Sequence, residues 1–308
     1  MLVGESISEL GLCQPVGRWQ RQRRAMHAPG NFGQRAGCTI LELLVAFGVI
    51  GVLFSILLPA LGLARESARR LQCTNQLRQI GVALHIYHDL YQCLPAGYQW
   101  ERTHQSAYGW SVPLLPLLEQ EAVFRQTDRN RSIHDAVNTL ARRTAVANLL
   151  CPSDINEPIF TLFLEDEGTE PFVPLVDLPT SSYCGVFGTQ QPDLQVANHL
   201  GNGTFSGNRP VRFAQMRRGL SNTIVVGERT MARLPTTWLG VDSRGDDAAC
   251  RLVGMAEVAP GGADCDDCDF DSRHPAGGNF LHGDGRCALI SASIDTRVYQ
   301  QLARLAAD

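Results

Sequence analysis

The stretch GCTILELLVAFGVIGVLFSILLPALGLAR, residues 37–65, decides how the chain is read. Between Glu42 and Arg65 lie 22 residues without a formal charge. As an α-helix they would extend about 33 Å at roughly 1.5 Å per residue, against a bilayer hydrocarbon core of about 30 Å. A helix in a soluble core has no need of so long an unbroken apolar surface, so the segment predicts one membrane span. Upstream stand Arg18, Arg21, Arg23, Arg24 and Arg35, opposed only by Glu5 and Glu9. By the positive-inside rule this places the N-terminus in the cytoplasm and the C-terminal bulk across the membrane. Arg65, Arg69 and Arg70 on the far side reduce the asymmetry. The expected location is the cytoplasmic (inner) membrane, single-pass, with a periplasmic or extracellular C-terminal domain.

Three kinds of segment compete for this pattern. A Sec-type signal peptide has a shorter apolar stretch followed by a small-residue cleavage site. A lipoprotein signal carries its apolar region before the cysteine, whereas here it follows Cys38. A prepilin carries a basic leader, a glycine at the cut and a glutamate at the fifth mature position. Gly37, Cys38 and Glu42 occupy those three places. A carboxylate at the margin of an apolar helix is costly in lipid unless it is paired. The segment therefore resembles the prepilin-type cleavage and methylation motif of type IV pilins and type II secretion pseudopilins. The resemblance implies that Glu42 pairs with a neighbouring subunit's amino terminus. It implies processing by a prepilin peptidase and homo- or hetero-oligomers with other pilin-like subunits. Two features depart from it: Cys38 stands where the family usually has phenylalanine, and the leader of 37 residues is long. A start at Met26 instead of Met1 would give the short leader MHAPGNFGQRAG.

After a kink expected at Pro59, an amphipathic continuation is predicted, because Leu77, Ile80, Leu84, Tyr87 and Tyr91 recur every three or four residues. Leu94-Pro95-Ala96-Gly97 ends it. Beyond residue 98, Gly, Pro, Asn and Ser punctuate short apolar runs such as Thr223-Ile224-Val225-Val226, a β-rich texture. Residues 165–179 read as an acidic, proline-rich surface loop. Asp284-Gly285 between two apolar runs predicts a hairpin joining residues 279–282 to 286–290. A last helix is expected from Ser293 or Asp295, with Val298, Leu302 and Leu305 on one face. The predicted class is α+β and pilin-like. A basic leader occupies residues 1–37, a transmembrane or assembly helix 38–64, its amphipathic continuation 65–97 and an exported β-rich domain 98–308.

The net charge of -4 in 308 residues argues against nucleic acid as a partner, since such binders carry a basic face. All 27 basic residues are arginine. Of the ten cysteines, Cys73, Cys93, Cys151, Cys184, Cys250, Cys265, Cys268 and Cys287 lie beyond the apolar segment. They suit an oxidising compartment and several disulfides, whose connectivity the spacing leaves open. Most are expected to be oxidised, with Cys265 and Cys268 joined to each other or to Cys250 or Cys287.

A wider pattern runs through residues 37–308. It comprises Cys73-Thr74-Asn75-Gln76-Leu77, His85-Ile86-Tyr87-His88, Gly109-Trp110-Ser111 before Leu115-Pro116-Leu117-Leu118-Glu119-Gln120, and Cys151-Pro152-Ser153-Asp154. It continues with Ser182-Tyr183, Ser221-Asn222-Thr223-Ile224, Gly227-Glu228-Arg229, and His274 ten residues before Asp284-Gly285. In this order the motifs resemble bacterial prepilin-like proteins that bear a domain of unknown function with a C-terminal His-x9-Asp-Gly element. Arg217-Arg218 before Gly219 departs from the Asp-Gly that this family tends to carry there. The resemblance implies a pilin-like anchor and an exported α+β domain, and no established activity.

His274, His282 and Asp284 come nearest to a catalytic or metal cluster. Yet Asp is favoured in turns for local backbone reasons, and His274 could brace the hairpin; His274, Asp284 and Gly285 are therefore read as architectural. Cys265-x2-Cys268 has no second pair to complete a zinc knuckle. Asp264, Asp266 and Asp269 around it could offer oxygen ligands to calcium, which some pseudopilins bind, but a disulfide-pinned acidic loop is favoured. Ser153, Ser182 and Ser221 have neither a nucleophile elbow nor a phosphate loop beside them. The expectation is a non-catalytic pseudopilin-like subunit of a pilus-like or secretion-associated fibre, with no cofactor besides that calcium. The alternatives are a signal-anchored module binding carbohydrate or protein, and then a hydrolase using His274 and Asp284.

Overall fold

The computed structural model describes residues 39–155, 157–164, 173–196, 199–262 and 264–306. Gly37 and Cys38 lie outside them. The chain divides into two units, Met1–Ser55 and Ile56–Asp308. Helix α1 is Ile40–Tyr91 and contains Pro59 without interruption. The Thr39 hydroxyl accepts from the Glu42 N–H (3.2 Å), and the Glu42 carboxylate accepts from the Thr39 N–H (2.8 Å). This reciprocal pair satisfies donors that a first helical turn leaves orphaned. From residue 40 to 63 the large apolar side chains are all exposed. From Cys73 onward a stripe turns inward: Cys73, Gln76, Leu77, Ile80, Gly81, Ala83 and Leu84 are buried. Burying each of Leu77, Ile80 and Leu84 contributes about 1.5–3 kcal/mol. Tyr87 is half-buried and packs on the core, but Tyr91, expected on the same face, is exposed.

In chain order there follow β1 (Tyr98–Trp100), β2 (Ser106–Gly109), α2 (Glu121–Arg125), α3 (Thr139–Arg142), β3 (Ile159–Phe163) and β4 (Pro174–Ser181). Then come β5 (Tyr183–Gly188), β6 (Ile224–Glu228), β7 (Thr236–Thr237), β8 (Gly240–Asp242), β9 (Val253–Met255), β10 (Gly277–His282), β11 (Cys287–Ser291) and α4 (Thr296–Ala303). The fold is α+β, with a long apolar N-terminal helix and a sheet-rich domain. Its main sheet has the order β11-β10-β6-β5-β9, antiparallel except for the β5–β9 pair. Two three-stranded sheets, β1-β2-β8 and β3-β4-β7, complete it. Strand β6 is central and every residue in it is buried, which explains its continuous rather than alternating apolar run.

Three expectations need correction. Residues 174–179 are not loop but part of β4, where Val176 and Leu178 point inward and Asp177 outward. The period-2 pattern is plain there, but the surrounding prolines and acidic residues disguise it. At the C-terminal helix Leu302 and Leu305 pack partly buried on the core as expected, but the fully buried residues of α4 are Tyr299 and Ala303, and Val298 is 48% exposed. Tyr299 meets Phe280 edge-on with centroids 5.8 Å apart, and this large aromatic contact sets the helix's rotation. Asp295 caps α4 by accepting from the Arg297 and Val298 N–H groups. The third correction concerns the cysteines: Cys268 pairs with Cys250, as one of the expected pairings had it, but four of the eight are bridged rather than most. The bridges are Cys73–Cys151 and Cys250–Cys268, while Cys93, Cys184, Cys265 and Cys287 are free. Cys265 instead donates to the Ala259 carbonyl at 3.3 Å, and Cys268 is carried to within 5.0 Å of Cys250, Cα to Cα.

The hairpin joins β10 to β11 as expected, with Leu281 opposite Cys287. The Gly285 N–H donates to the His282 carbonyl (2.9 Å), and the His282 N–H to the Arg286 carbonyl (2.8 Å). Of the two turn residues only Gly285 has positive φ, +84°. The connection is thus a four-residue turn closed by a glycine bulge, not a two-residue turn with both residues left-handed. Gly81 of α1 faces this hairpin so closely that an added Cβ would sit 2.9 Å from a Leu281 methyl.

Candidate functional site

The motifs that are scattered along the sequence meet around His274, whose side chain is 1% exposed. It lies in the turn entering β10, held by a Gly277 N–H bond to its own carbonyl. Its Nδ1 donates to Oε1 of Glu66 on α1 at 2.7 Å. Its Nε2 lies 3.5 Å from Glu228 Oε1 at the end of β6, and 3.6 Å from Cys151 Sγ. The Cys73–Cys151 bridge therefore packs beside the ring, tying α1 to the Cys151-Pro152-Ser153-Asp154 turn.

Each partner is itself anchored. Glu228 is 2% exposed, and its Oε2 accepts from the Ser272 hydroxyl (2.9 Å) and the Asn279 N–H (2.9 Å), while Asn279 Nδ2 donates to Oε1 (3.0 Å). Glu66 accepts from Arg69 Nε (2.9 Å) and from the Ser153 hydroxyl (3.2 Å). The Cys151 N–H donates to Ser182 Oγ (3.0 Å), and Asp154 accepts from the Thr230 hydroxyl and the Met231 N–H. Burial alone would push the His274 pKa down, but the Glu228 and Glu66 carboxylates outweigh it and raise it above the ordinary histidine value. Burial likewise tends to raise the Glu66 pKa, and hydrogen bonds from His274, Arg69 and Ser153 bring it below the usual carboxylate range. The buried His274 ring, bonded to Glu66 through Nδ1 and facing Glu228 and Cys151 with Nε2, clamps the helix to the sheet.

Arg229, next to Glu228, supports the second bridge. Its buried guanidinium donates to the carbonyls of Asp269 (3.0 Å), Cys250 and Cys268. Asp269 is buried too, with Oδ1 accepting from the Glu257 and Val258 N–H groups and Oδ2 from Asp266. Backbone donors therefore occupy both oxygens of the residue read as a calcium ligand. Among the described residues, Cys73, Cys151, Glu228 and His274, and separately Asp247, Cys250 and Cys268, bring potential metal-ligand atoms within 4.8 Å of one another. Neither includes Asp264, Asp266 or Asp269.

His274, His282 and Asp284 are not brought together. His274 stands before β10 and Asp284 beyond its far end, on the order of 20 Å of strand away. So His274 does not brace the turn: Glu66 and Glu228 hold it instead, because a buried ring needs polar partners. His282 is buried and its pKa falls to about 4, through burial first and then the nearby Arg286. His85 and His88 pack against Phe213, with centroids 4.8 and 4.0 Å away. Sequence reasoning passed over Glu66. Its signal was available: Glu66 and Cys73 are seven residues apart, two turns along one helix face. Elsewhere, a groove of about 940 Å³ is lined by Tyr98, Trp100, His104, His199, Arg209 and Arg244 among others.

Together these features define an α+β protein whose long apolar helix, a candidate membrane anchor with its most apolar window wholly exposed, leads into a domain stapled by two disulfides. The chain belongs to the family described as Protein of unknown function (DUF1559), SBP_bac_10, which matches residues 63–297. Comparison with curated proteins and with solved structures finds no match.

Proposed function

We propose that the chain is a non-catalytic, pseudopilin-like structural subunit, anchored in the cytoplasmic membrane with its family domain outside the cytoplasm. The observation that carries this reading is the fully exposed apolar stretch of α1 over residues 40–63, preceded by Gly37-Cys38 and opening on Glu42. Such a surface is satisfied by lipid or by the helices of other subunits. Two disulfides fit a domain held in an oxidising space. A structural role is supported by His274, which is sealed from solvent and held by anchored partners rather than aimed into a cleft. A prepilin peptidase should cut after Gly37 and leave Cys38 as the amino terminus. Mass spectrometry of protein from native membranes tests this: a mature chain beginning at Met1, at Met26 or beyond the apolar segment sinks it. Gly37→Ala should slow or abolish the cut.

A second reading, a signal-anchored binding module, draws on the groove lined by Trp100, His104, Arg209 and Arg244, where an aromatic ring and two arginines suit a carbohydrate. It predicts an uncut monomer that binds sugar, and Trp100→Ala should abolish that binding.

A further inference from the structure

We infer that Cys73, Cys151, His274 and Glu228 form a redox-gated site for a zinc-like divalent cation, closed by the disulfide and opened when that bond is reduced. One potential ligand atom from each residue lies within 4.8 Å of the others, and all four residues are buried. In a tetrahedral zinc site, metal–ligand bonds of about 2.0–2.3 Å put neighbouring ligand atoms about 3.4–3.8 Å apart. The observed His274 Nε2 to Cys151 Sγ distance is 3.6 Å, and that from Nε2 to Glu228 Oε1 is 3.5 Å. Two edges of the polyhedron are therefore already in place. Two cysteines, one histidine and one carboxylate make a donor set suited to zinc.

The surrounding shell supports the same assignment independently. Metal-bound histidines almost always donate their other ring N–H to a carboxylate or carbonyl, which fixes the tautomer and aims the ligating nitrogen. His274 Nδ1 does this to Glu66 at 2.7 Å, leaving Nε2 directed at the sulfur and Glu228. Ligating carboxylates are in turn hydrogen-bonded, and Glu228 is held by Ser272 and Asn279.

The chemistry balances with a dithiol as the named reductant. A dithiol supplies two electrons and two protons to the Cys73–Cys151 bond, becomes a disulfide itself and leaves two thiols. The cation then displaces both thiol protons, and the Nε2 proton where it is present, to form two metal–sulfur bonds, one metal–nitrogen bond and one metal–oxygen bond. A small-molecule disulfide as oxidant reverses the sequence: it takes up the two electrons, and two protons from solvent, to become two thiols, the Cys73–Cys151 bond re-forms and the ion is released.

The test uses the full chain in detergent, reduced anaerobically, freed of reductant and titrated with cobalt(II) as a spectroscopic stand-in for zinc. The expected result is the intense visible absorption and thiolate charge-transfer band of a tetrahedral cobalt site, saturating at one ion per chain and erased by zinc. The oxidised chain should give neither band. Glu66→Gln, at a partly exposed position, should weaken binding about 10–100-fold, as loss of an outer-shell partner does. Cys73→Ser with Cys151→Ser should remove the bands, whereas Cys250→Ser with Cys268→Ser should leave them. Survival of the bands in the first double variant, or their loss only in the second, would overturn the assignment in favour of the Asp247–Cys250–Cys268 group. Absence of any band from the reduced, folded chain overturns it as well. So does unfolding on reduction that zinc does not reverse.

Discussion

The two ends of the His-x9-Asp-Gly element look like one motif in sequence and do unrelated work in the fold. At one end His274 is buried, its pKa raised by the Glu228 and Glu66 carboxylates, and it contacts residues from a helix and a strand. At the other, Asp284 and Gly285 shape a turn closed by its own backbone bonds, with the Gly283 N–H donating to the Thr223 carbonyl beside it. Spacing between them is set by β10, a six-residue strand that must run between the clamp and the turn. A fixed interval in sequence can therefore measure the length of a strand, not the proximity of two side chains.

If this contrast is right, damage at the clamp should exceed damage at the turn. His274→Ala should have the largest effect, about 3–5 kcal/mol, because it takes from the anchored Glu66 and Glu228 side chains the buried partner between them. Denaturant unfolding of the sheet-rich domain would show it, and a loss under about 1 kcal/mol would mean that Glu228 is content with Ser272 and Asn279 alone. Next, Cys73→Ala with Cys151→Ala should cost about 2–5 kcal/mol. The thiol map sharpens the same point. Alkylation of the denatured, unreduced chain followed by peptide mapping should label Cys93, Cys184, Cys265 and Cys287, and should leave Cys73, Cys151, Cys250 and Cys268 unlabelled. Labelling of either bridged pair would contradict the fold described.

The turn end carries a pH signature of its own. His282 is neutral in the fold until about pH 4, whereas an unfolded histidine takes its proton near pH 6.5. The unfolded state thus binds more protons below pH 6.5. The contribution of His282 is complete above that value and is lost as the pH falls through 4, by on the order of 3 kcal/mol. His282→Gln should flatten the stability profile between those limits; an unchanged slope would assign the acid sensitivity to other groups. The smallest effect is expected at Gly285. An added Cβ there has room, the nearest atom being His85 Nε2 at 3.9 Å, so Gly285→Val should cost only the strain of a β-branched residue at φ +84°, about 1–3 kcal/mol. Its melting temperature should fall less than that of His274→Ala, and the reverse order would undo the comparison.

Local patterns were legible because they depend on neighbours in the chain. The apolar run of α1, the stripe through Leu77, Ile80 and Leu84, strand β6 and the β10–β11 hairpin could each be read from composition or period. Where local signals conflicted, reading failed. Prolines and acidic residues hid the alternation of Val176, Asp177 and Leu178 in β4, and Val298 was assigned to the face that Tyr299 occupies.

The sequence by itself determined an apolar helix able to cross a membrane, an α+β chain and the separate presence of each motif. Only the tertiary structure decided that Glu66, Cys73, Cys151, Glu228 and His274 share one buried site, and that Cys250 pairs with Cys268 while Cys265 does not. The reason is physical. Helical and strand periods repeat within a few residues, whereas Glu66 and His274 are separated by 208 positions. Their contact depends on how α1 packs against the sheet, and on the rule that buried charges must find partners once that packing excludes water.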